Sequence, residues 1–414
     1  MKVFSSNTGG DWLVDDPINA PPEGADAPEA GSASPHGERE AKRVLSDLFR
    51  CNNLVVLAGL GTSLCVEPFS AGGGRAPTMG DLWREVVRQH GQKMAEGHFT
   101  RDWDGLIGLV GYTGGQADIE ALLSRCRLGE AFFSGDDLIQ IQRLIALAEE
   151  VITDKVDFLD HGHPLPFHVE FLRRAARRSN RKSRTKIFTT NYDRCFEEAG
   201  RQGRYVVVDG FSHTAPPTFD AVHFTYDIVR RSRENDTQDF IPNVFHLYKL
   251  HGSIDWERAA DSGEIHKNSE AKKPLLIYPR SSKYELAFEQ PYLEMISAFQ
   301  AAMREPNTGL LVVGFGFNDS HLAEPIMSSV RSNLGLKVGV VGPFLAPHEW
   351  NGEQRVGEAN TNSHIRKLKD LARVGDARIS LINCGFEDMV ELVPDIAAES
   401  DLEQHFERMR RLGD

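Results

Sequence analysis

The chain reads as an α/β protein, a Rossmann-like doubly wound parallel sheet with an inserted helical subdomain. Two observations predict this. Short continuous apolar runs recur at 54–58, 186–190, 204–208, 245–250, 275–278, 309–314, 336–342 and 377–383. Runs of that kind suit strands buried on both faces of a parallel sheet. Helical patterns lie between several of them, so strand, helix and strand alternate as βαβ crossovers. Composition agrees with a globular body: of 414 residues, 40% are hydrophobic and 26% charged, which excludes a fibrous or wholly disordered chain. The length suggests two or three modules and permits a large core.

Residues 1–37 are expected to form a flexible N-terminal arm, because NAPPEGADAPEAGSASP has little to bury. From Glu38 the pattern changes. EREAKRVLSDLFRC sets Ala41, Val44, Leu45, Leu48 and Phe49 at helical spacing and leads into the first strand, Leu54 to Ala58. The Rossmann-like domain is expected over 38–83 and 183–395, with a helical insertion over 84–182. In that insertion Leu138, Ile141, Leu144, Ile145, Ala148, Val151, Ile152 and Leu159 form one stripe at a 3.6 period, with Ser134 or Asp136 as its cap. A basic run follows (Arg173, Arg174, Arg177, Arg178, Arg181, Lys182, Arg184, Lys186), read as a solvated helix face in preference to a nucleic-acid patch. PYLEMISAFQAAMRE (291–305) and DSHLAEPIMSSVRSNL (319–334) supply crossover helices. Residues 396–414 are expected as a charged C-terminal helix or tail.

Charge and cysteines narrow the function. Lys plus Arg number 47 against 60 Asp plus Glu, a net charge of −13, which argues against a general phosphate-backbone binder. No apolar run approaches the roughly 18 residues of a membrane span, and the first residues lack the layout of a secretory signal. A cytoplasmic location is expected. Cys51, Cys65, Cys126, Cys195 and Cys384 are scattered and contain no C-x-x-C pair. Neither a disulfide framework nor a structural zinc is expected, and no metal is called for.

Chemistry gathers where strands end. In LVVLAGLGTS, Gly59 and Gly61 let the backbone turn tightly beside a pyrophosphate, and Thr62 and Ser63 offer hydroxyl donors; a plain strand-to-helix turn explains the pair almost as well. In KIFTTNYD, Thr190, Asn191 and Asp193 project beyond a strand's carboxyl end, where open α/β sheets bind ligands; Asp193 serves equally as a helix cap. FHLYKLHGS places Lys249, His251, Gly252 and Ser253 at a third strand end. A histidine there is a candidate base, because an imidazole exchanges protons near neutral pH. GLLVVGFGFND repeats the layout with Gly314, Gly316 and Asp319, the last suited to ribose hydroxyls or to capping a helix. Gly385 in NCGFED, beyond the last strand, is set down as an adenine contact.

Taken in order, AGLGTS followed by PTMGDLW (77–83), FTTNYD (188–193), KLHGSIDW (249–256), IYPRSSKY (277–284) and VVGFGFNDSHL (312–322) resemble the sirtuin-like branch of bacterial defence proteins, over roughly 54–345. The resemblance implies a fold that binds NAD+ as substrate and cleaves its nicotinamide–ribose bond. It makes Asn191 and His251 the catalytic pair, with Asp193 orienting them. It sets Gly59, Gly61, Thr62 and Ser63 against the diphosphate and nicotinamide ribose, and Gly314, Gly316 and Asp319 near the adenosine half. Two departures stand out: Leu60 replaces a small residue between the first glycines, and the four zinc cysteines of deacylating sirtuins are missing. NAD+ hydrolysis is therefore expected over deacetylation, as an effector of anti-phage defence. An activity of that kind needs gating, and the resemblance implies a homo-oligomer partnered with a HerA-type hexameric ATPase; an argonaute-type protein or a nucleotide sensor are the alternative partners. A non-catalytic NAD or ADP-ribose scaffold is the competing reading, and a protein deacetylase a further one.

Overall fold

The computed structural model describes residues 1–14, 36–69, 73–112, 117–178, 182–231, 238–269, 271, 273–276, 290–346 and 362–395. The C-terminal tail, the IYPRSSKY segment and most of the N-terminal arm lie outside the described residues. In chain order the elements are β1 (Lys2–Ser5), β2 (Leu13–Val14), α1 (His36–Phe49), β3 (Asn53–Ala58), α2 (Met79–Ala95), α3 (Trp103–Leu109), α4 (Ile119–Gly129), α5 (Gly135–Val156) and α6 (Pro166–Ala176). Then come β4 (Lys186–Thr189), α7 (Cys195–Gln202), β5 (Val206–Val208), β6 (Val229–Arg231), β7 (Gln238–Phe240), β8 (Val244–Lys249), β9 (Gly252–Arg258), β10 (Ile265–Lys267) and β11 (Pro274–Leu276). The chain continues through α8 (Tyr292–Arg304), β12 (Thr308–Val313), α9 (Ser320–Ser332), β13 (Leu336–Val341), α10 (Ser363–Arg373), β14 (Ile379–Asn383) and α11 (Phe386–Leu392).

Nine strands form one sheet in the order β2-β1-β14-β13-β12-β3-β4-β8-β5. From β14 to β5 every pairing is parallel. The chain leaves β3 for β4 on one side and returns to β12 on the other, so the winding reverses between β3 and β12. That is the Rossmann-like, doubly wound plan. Alternation explains the continuous apolar runs: Leu54, Val56 and Ala58 of β3 pack into the core beneath α1, α6, α7 and α11, whereas Val55 and Leu57 pack beneath α8, α9 and α10. With both faces covered, neither set of side chains is polar. A third apolar cluster unites α2 through α5 and touches the sheet domain through Tyr192 and Ile254. It forms a helical layer of α2 to α5, whereas α6, inside the expected 84–182 insertion, packs into the core of the sheet through Phe171, Leu172, Ala175 and Ala176.

Several expectations need correction. Residues 2–5 are not an arm: β1 pairs antiparallel with β14, and Val3 and Phe4 are fully buried on opposite faces of the sheet. The run at 275–278 does not join the parallel sheet. Its described part, β11, pairs antiparallel with β9 in a separate sheet β10-β9-β11, and its residues are only half-buried. The run at 204–208 is an edge strand of three residues. Ser134 occupies the N-cap of α5 without a side-chain bond, and Asp136 and Asp137 lie in the first turn, where their charge favours the helix dipole.

Among the described residues, several members of the basic run are engaged within the chain instead of lying free on a solvated face. Arg173 and Arg174 both bind Glu170 on their own helix. Arg173 reaches Asp395, and Arg174 donates to the carbonyls of Glu391 and Val393 beyond α11. Arg178 donates to the carbonyls of Phe49, Cys51 and Asn52, satisfying acceptors at the end of α1. No helix among the described residues is long and apolar enough to cross a membrane.

Candidate active site

Two strand ends build the floor of a crevice. β3 runs out through Gly59 into the turn Leu60–Thr62, and β12 runs out through Gly314. Gly61 N–H donates to the Gly314 carbonyl at 3.0 Å, and Gly59 N–H to that of Val313 at 2.9 Å. A Cβ on Gly61 would lie 2.6 Å from Gly314 Cα, and one on Gly314, whose φ is +65°, 2.7 Å from Gly61 Cα. Only two glycines let the main chains approach so closely. The contact lies at the topological switch point, beyond the carboxyl ends of the strands, where ligands bind in this architecture.

β4 delivers the second wall. Asn191 Nδ2 donates to Ser63 Oγ at 2.8 Å, to the Gly59 carbonyl at 3.1 Å and to Thr62 Oγ1 at 3.3 Å. Thr62 Oγ1 donates to the Gly59 carbonyl at 2.9 Å, and Ser63 Oγ donates to Asp193 Oδ2 at 2.7 Å. Asp193 Oδ1 accepts the Cys195 N–H at the start of α7. A closed chain of bonds thus fixes the Asn191 amide. Beneath it, the buried Lys249 ammonium donates to the carbonyls of Tyr192 (3.2 Å) and Asp193, and meets Glu197 Oε1 at 3.2 Å. Burial raises the Glu197 carboxyl; Lys249 pulls it back, and it stays above its ordinary value.

His251 follows two residues after the end of β8, and Gly252 turns the chain back at φ +83° into β9. Across the crevice, Asp319 precedes α9 as its N-cap, with Oδ1 accepting the His321 N–H at 3.0 Å. Its Oδ2 lies 3.0 Å from His251 Nε2, off the line of an ideal hydrogen bond, and both side chains are buried. Burial pushes the Asp319 carboxyl up, but His251 and His321 together outweigh it and hold the group below its ordinary value.

Gly61, Thr190, Asn191, Asp193, His251, Gly314, Gly316 and Asp319 all line one cavity of about 400 Å³. Met79, Leu82, Val156 and Phe158 from the helical layer roof it. Its charged lining among the described residues is acidic: Glu120, Asp193 and Asp319, with no Lys or Arg. Glu120 reaches the Asn191 loop directly, accepting the Tyr192 hydroxyl at 2.9 Å. The described residues contain no group of three or more His, Cys, Asp or Glu placed to hold a metal.

Comparison with known proteins follows this geometry. A family model described as a SIR2-like domain matches residues 185–361. Over that segment the chain is similar to the SIR2-like family. The segment includes the Asn191 loop, His251 and the Gly314–Asp319 turn; the Gly59–Ser63 turn precedes it and is joined to it by the bonds above. Among solved structures 67 chains match. One is a Sir2 variant with a deacetylated p53 peptide and 3′-O-acetyl ADP-ribose, at 11% identity and a TM-score of 0.32, covering 85% of this chain and 96% of that chain. No curated protein matches.

Not every expected residue of the SIR2-like site faces the cavity. Gly59, Thr62 and Ser63 are not part of its lining; the Thr62 hydroxyl donates to the Gly59 carbonyl and that of Ser63 to the Asp193 carboxylate, so the pair supports Asn191. Gly252 sits where a Cβ would meet the Leu275 carbonyl at 2.1 Å, and Ser253 Oγ turns to the Tyr192 carbonyl at 3.4 Å. Both serve the β9–β11 contact. Gly385 lines a different cavity, of about 740 Å³, with Lys2, Lys42, Asn383 and Asp388. Asp319 faces His251 across the cavity. No sequence pattern signals that pairing, because it arises from two strand ends converging in space.

Proposed function

We propose that the chain is an NAD+ glycohydrolase, cleaving the nicotinamide–ribose bond to give nicotinamide and ADP-ribose. One observation carries the reading: a rigidly held carboxamide and a buried imidazole open onto the same cavity, above two interlocked glycine turns suited to a dinucleotide. Binding alone calls for neither side chain. Cleavage of this bond proceeds through an oxocarbenium-like state, and the leaving pyridine nitrogen takes the bonding electron pair and loses its positive charge. An acidic lining without cationic side chains favours that developing cation. Asn191 orients the ribose or the attacking water. Water adds to the anomeric carbon as the C–N bond breaks, and its proton passes to His251 and on to solvent. The reading extends to an effector of anti-phage defence by NAD+ depletion, held in check by assembly with a HerA-type ATPase; that extension rests on the sequence resemblance.

The test is incubation of the purified protein with NAD+, with and without such an ATPase, following nicotinamide and ADP-ribose. His251→Ala is expected to lower nicotinamide release by about 10²–10⁴-fold, the usual contribution of a positioned base, and Asn191→Ala to abolish it, both with an unchanged circular dichroism spectrum. Near-native hydrolysis by either variant would falsify its assigned role.

A further inference from the structure

The carboxylate that meets His251 is not the one in the loop that carries Asn191. Asp193 is occupied by Ser63 Oγ and the Cys195 N–H. Asp319 is the acid within reach, and it is firmly anchored. Its backbone carbonyl accepts from the N–H groups of Leu322 and Ala323, and Oδ1 from that of His321, so the whole first turn of α9 holds it. Its Oδ2 stands 3.0 Å from His251 Nε2, with the side chains only 9% and 6% exposed. Among the described residues, the ionisable groups His321 on α9 and Tyr292 on α8 also feel the Asp319 charge.

We propose that Asp319 is the positioning residue of His251, holding the ring with its hydrogen on Nε2 while the imidazole takes the proton from the attacking water. This rests on the NAD+ hydrolysis reading. An ionised carboxylate only accepts hydrogen bonds, so the facing ring nitrogen carries the hydrogen and the other keeps its lone pair. When the proton arrives, the imidazolium forms beside a fixed negative charge in a site shielded from water, where that charge acts strongly. The bent approach is of the kind that tightens once a bound substrate fixes the partners.

Asp319→Ser tests this without removing the helix cap, since Ser caps about as well as Asp but is too short to reach the ring. The expected result is a fall in kcat for nicotinamide release of about 10²–10⁴-fold with KM for NAD+ unchanged. Asp319→Asn, which keeps an acceptor oxygen without the charge, should fall between Asp319→Ser and the wild type. On the full chain without NAD+, ¹⁵N-histidine NMR should show the His251 ring, assigned by its loss in His251→Gln, protonated on Nε2 in the wild type and as a tautomer mixture in Asp319→Ser. A raised KM with kcat intact would make Asp319 a ribose ligand and overturn the proposal; an unchanged ring spectrum would overturn it as well. If no preparation releases nicotinamide, with or without the ATPase, it is the NAD+ reading that fails, while the ring spectrum still decides whether Asp319 fixes the imidazole.

Discussion

At the scale of single residues, the site depends on groups that touch no substrate. Lys249 is the clearest: its ammonium is almost fully buried and clamps two carbonyls of the loop that holds Asn191. Lys249→Met should destabilise the fold by about 3–5 kcal/mol, the usual result of breaking a buried ion pair from one side. The loss should depend on pH. Burial already raises the Glu197 carboxyl against the pull of Lys249; without the lysine it rises further. A carboxyl with a raised folded-state pKa contributes stability at low pH and loses it as pH rises through that value. Urea denaturation of the variant should therefore show a smaller deficit at pH 5 than at pH 8, and a deficit independent of pH would show that Glu197 is not the group left behind. Asn191 and His251 were legible from sequence because each follows an apolar strand whose carboxyl end can only point into the crevice. The task of Asp319 was not, because ion pairing between distant segments leaves no local pattern. Nor was the fate of Thr62 and Ser63, whose hydroxyls look the same in sequence whether they face an anion or a neighbouring carboxamide.

At the scale of elements, the strands that could be read were those with both faces covered. β3, β4, β12 and β13 each carry an apolar run, and β8 and β14 are interrupted inside theirs only by His246 and Ser380, as suits strands between two helical layers. β9 is not among the continuous apolar runs because GSIDWER alternates polar with apolar residues, the pattern of a strand with one covered face, in a sheet apart from the parallel one. β1 was missed because a strand of four residues beside a long polar stretch has no period to detect. The basic run illustrates a third limit: a row of arginines looks alike in sequence whether it faces water or caps neighbouring carbonyls. Arg178→Ala should cost about 1–3 kcal/mol, since it strips the partner from carbonyls at the end of α1. A thermal melt at low and at high salt checks this, and a variant as stable as the wild type would return the run to the surface role expected from sequence.

At the scale of the whole molecule, β1 gives the sheet an antiparallel border. It covers β14, fills both cores through Val3 and Phe4, and brings Phe4 and Trp12 beneath Lys369 and Arg373 of α10. Removing residues 1–14 should expose the β14 edge and lower solubility, because an unpaired strand of alternating backbone donors and acceptors recruits other strands. Light scattering of the truncated chain would show it, and a monodisperse product of native stability would mean the border is dispensable. The interlocked glycine turns have a consequence on this scale too. Where two backbones are welded at van der Waals distance, no side chain can be exchanged without parting them, so that part of the crevice has almost no room to vary. The roof does: Met79, Leu82, Val156 and Phe158 come from the helical layer and can change bulk or polarity while the weld stays intact. Divergence in what the cavity admits should thus accumulate overhead, leaving the reacting end below unaltered.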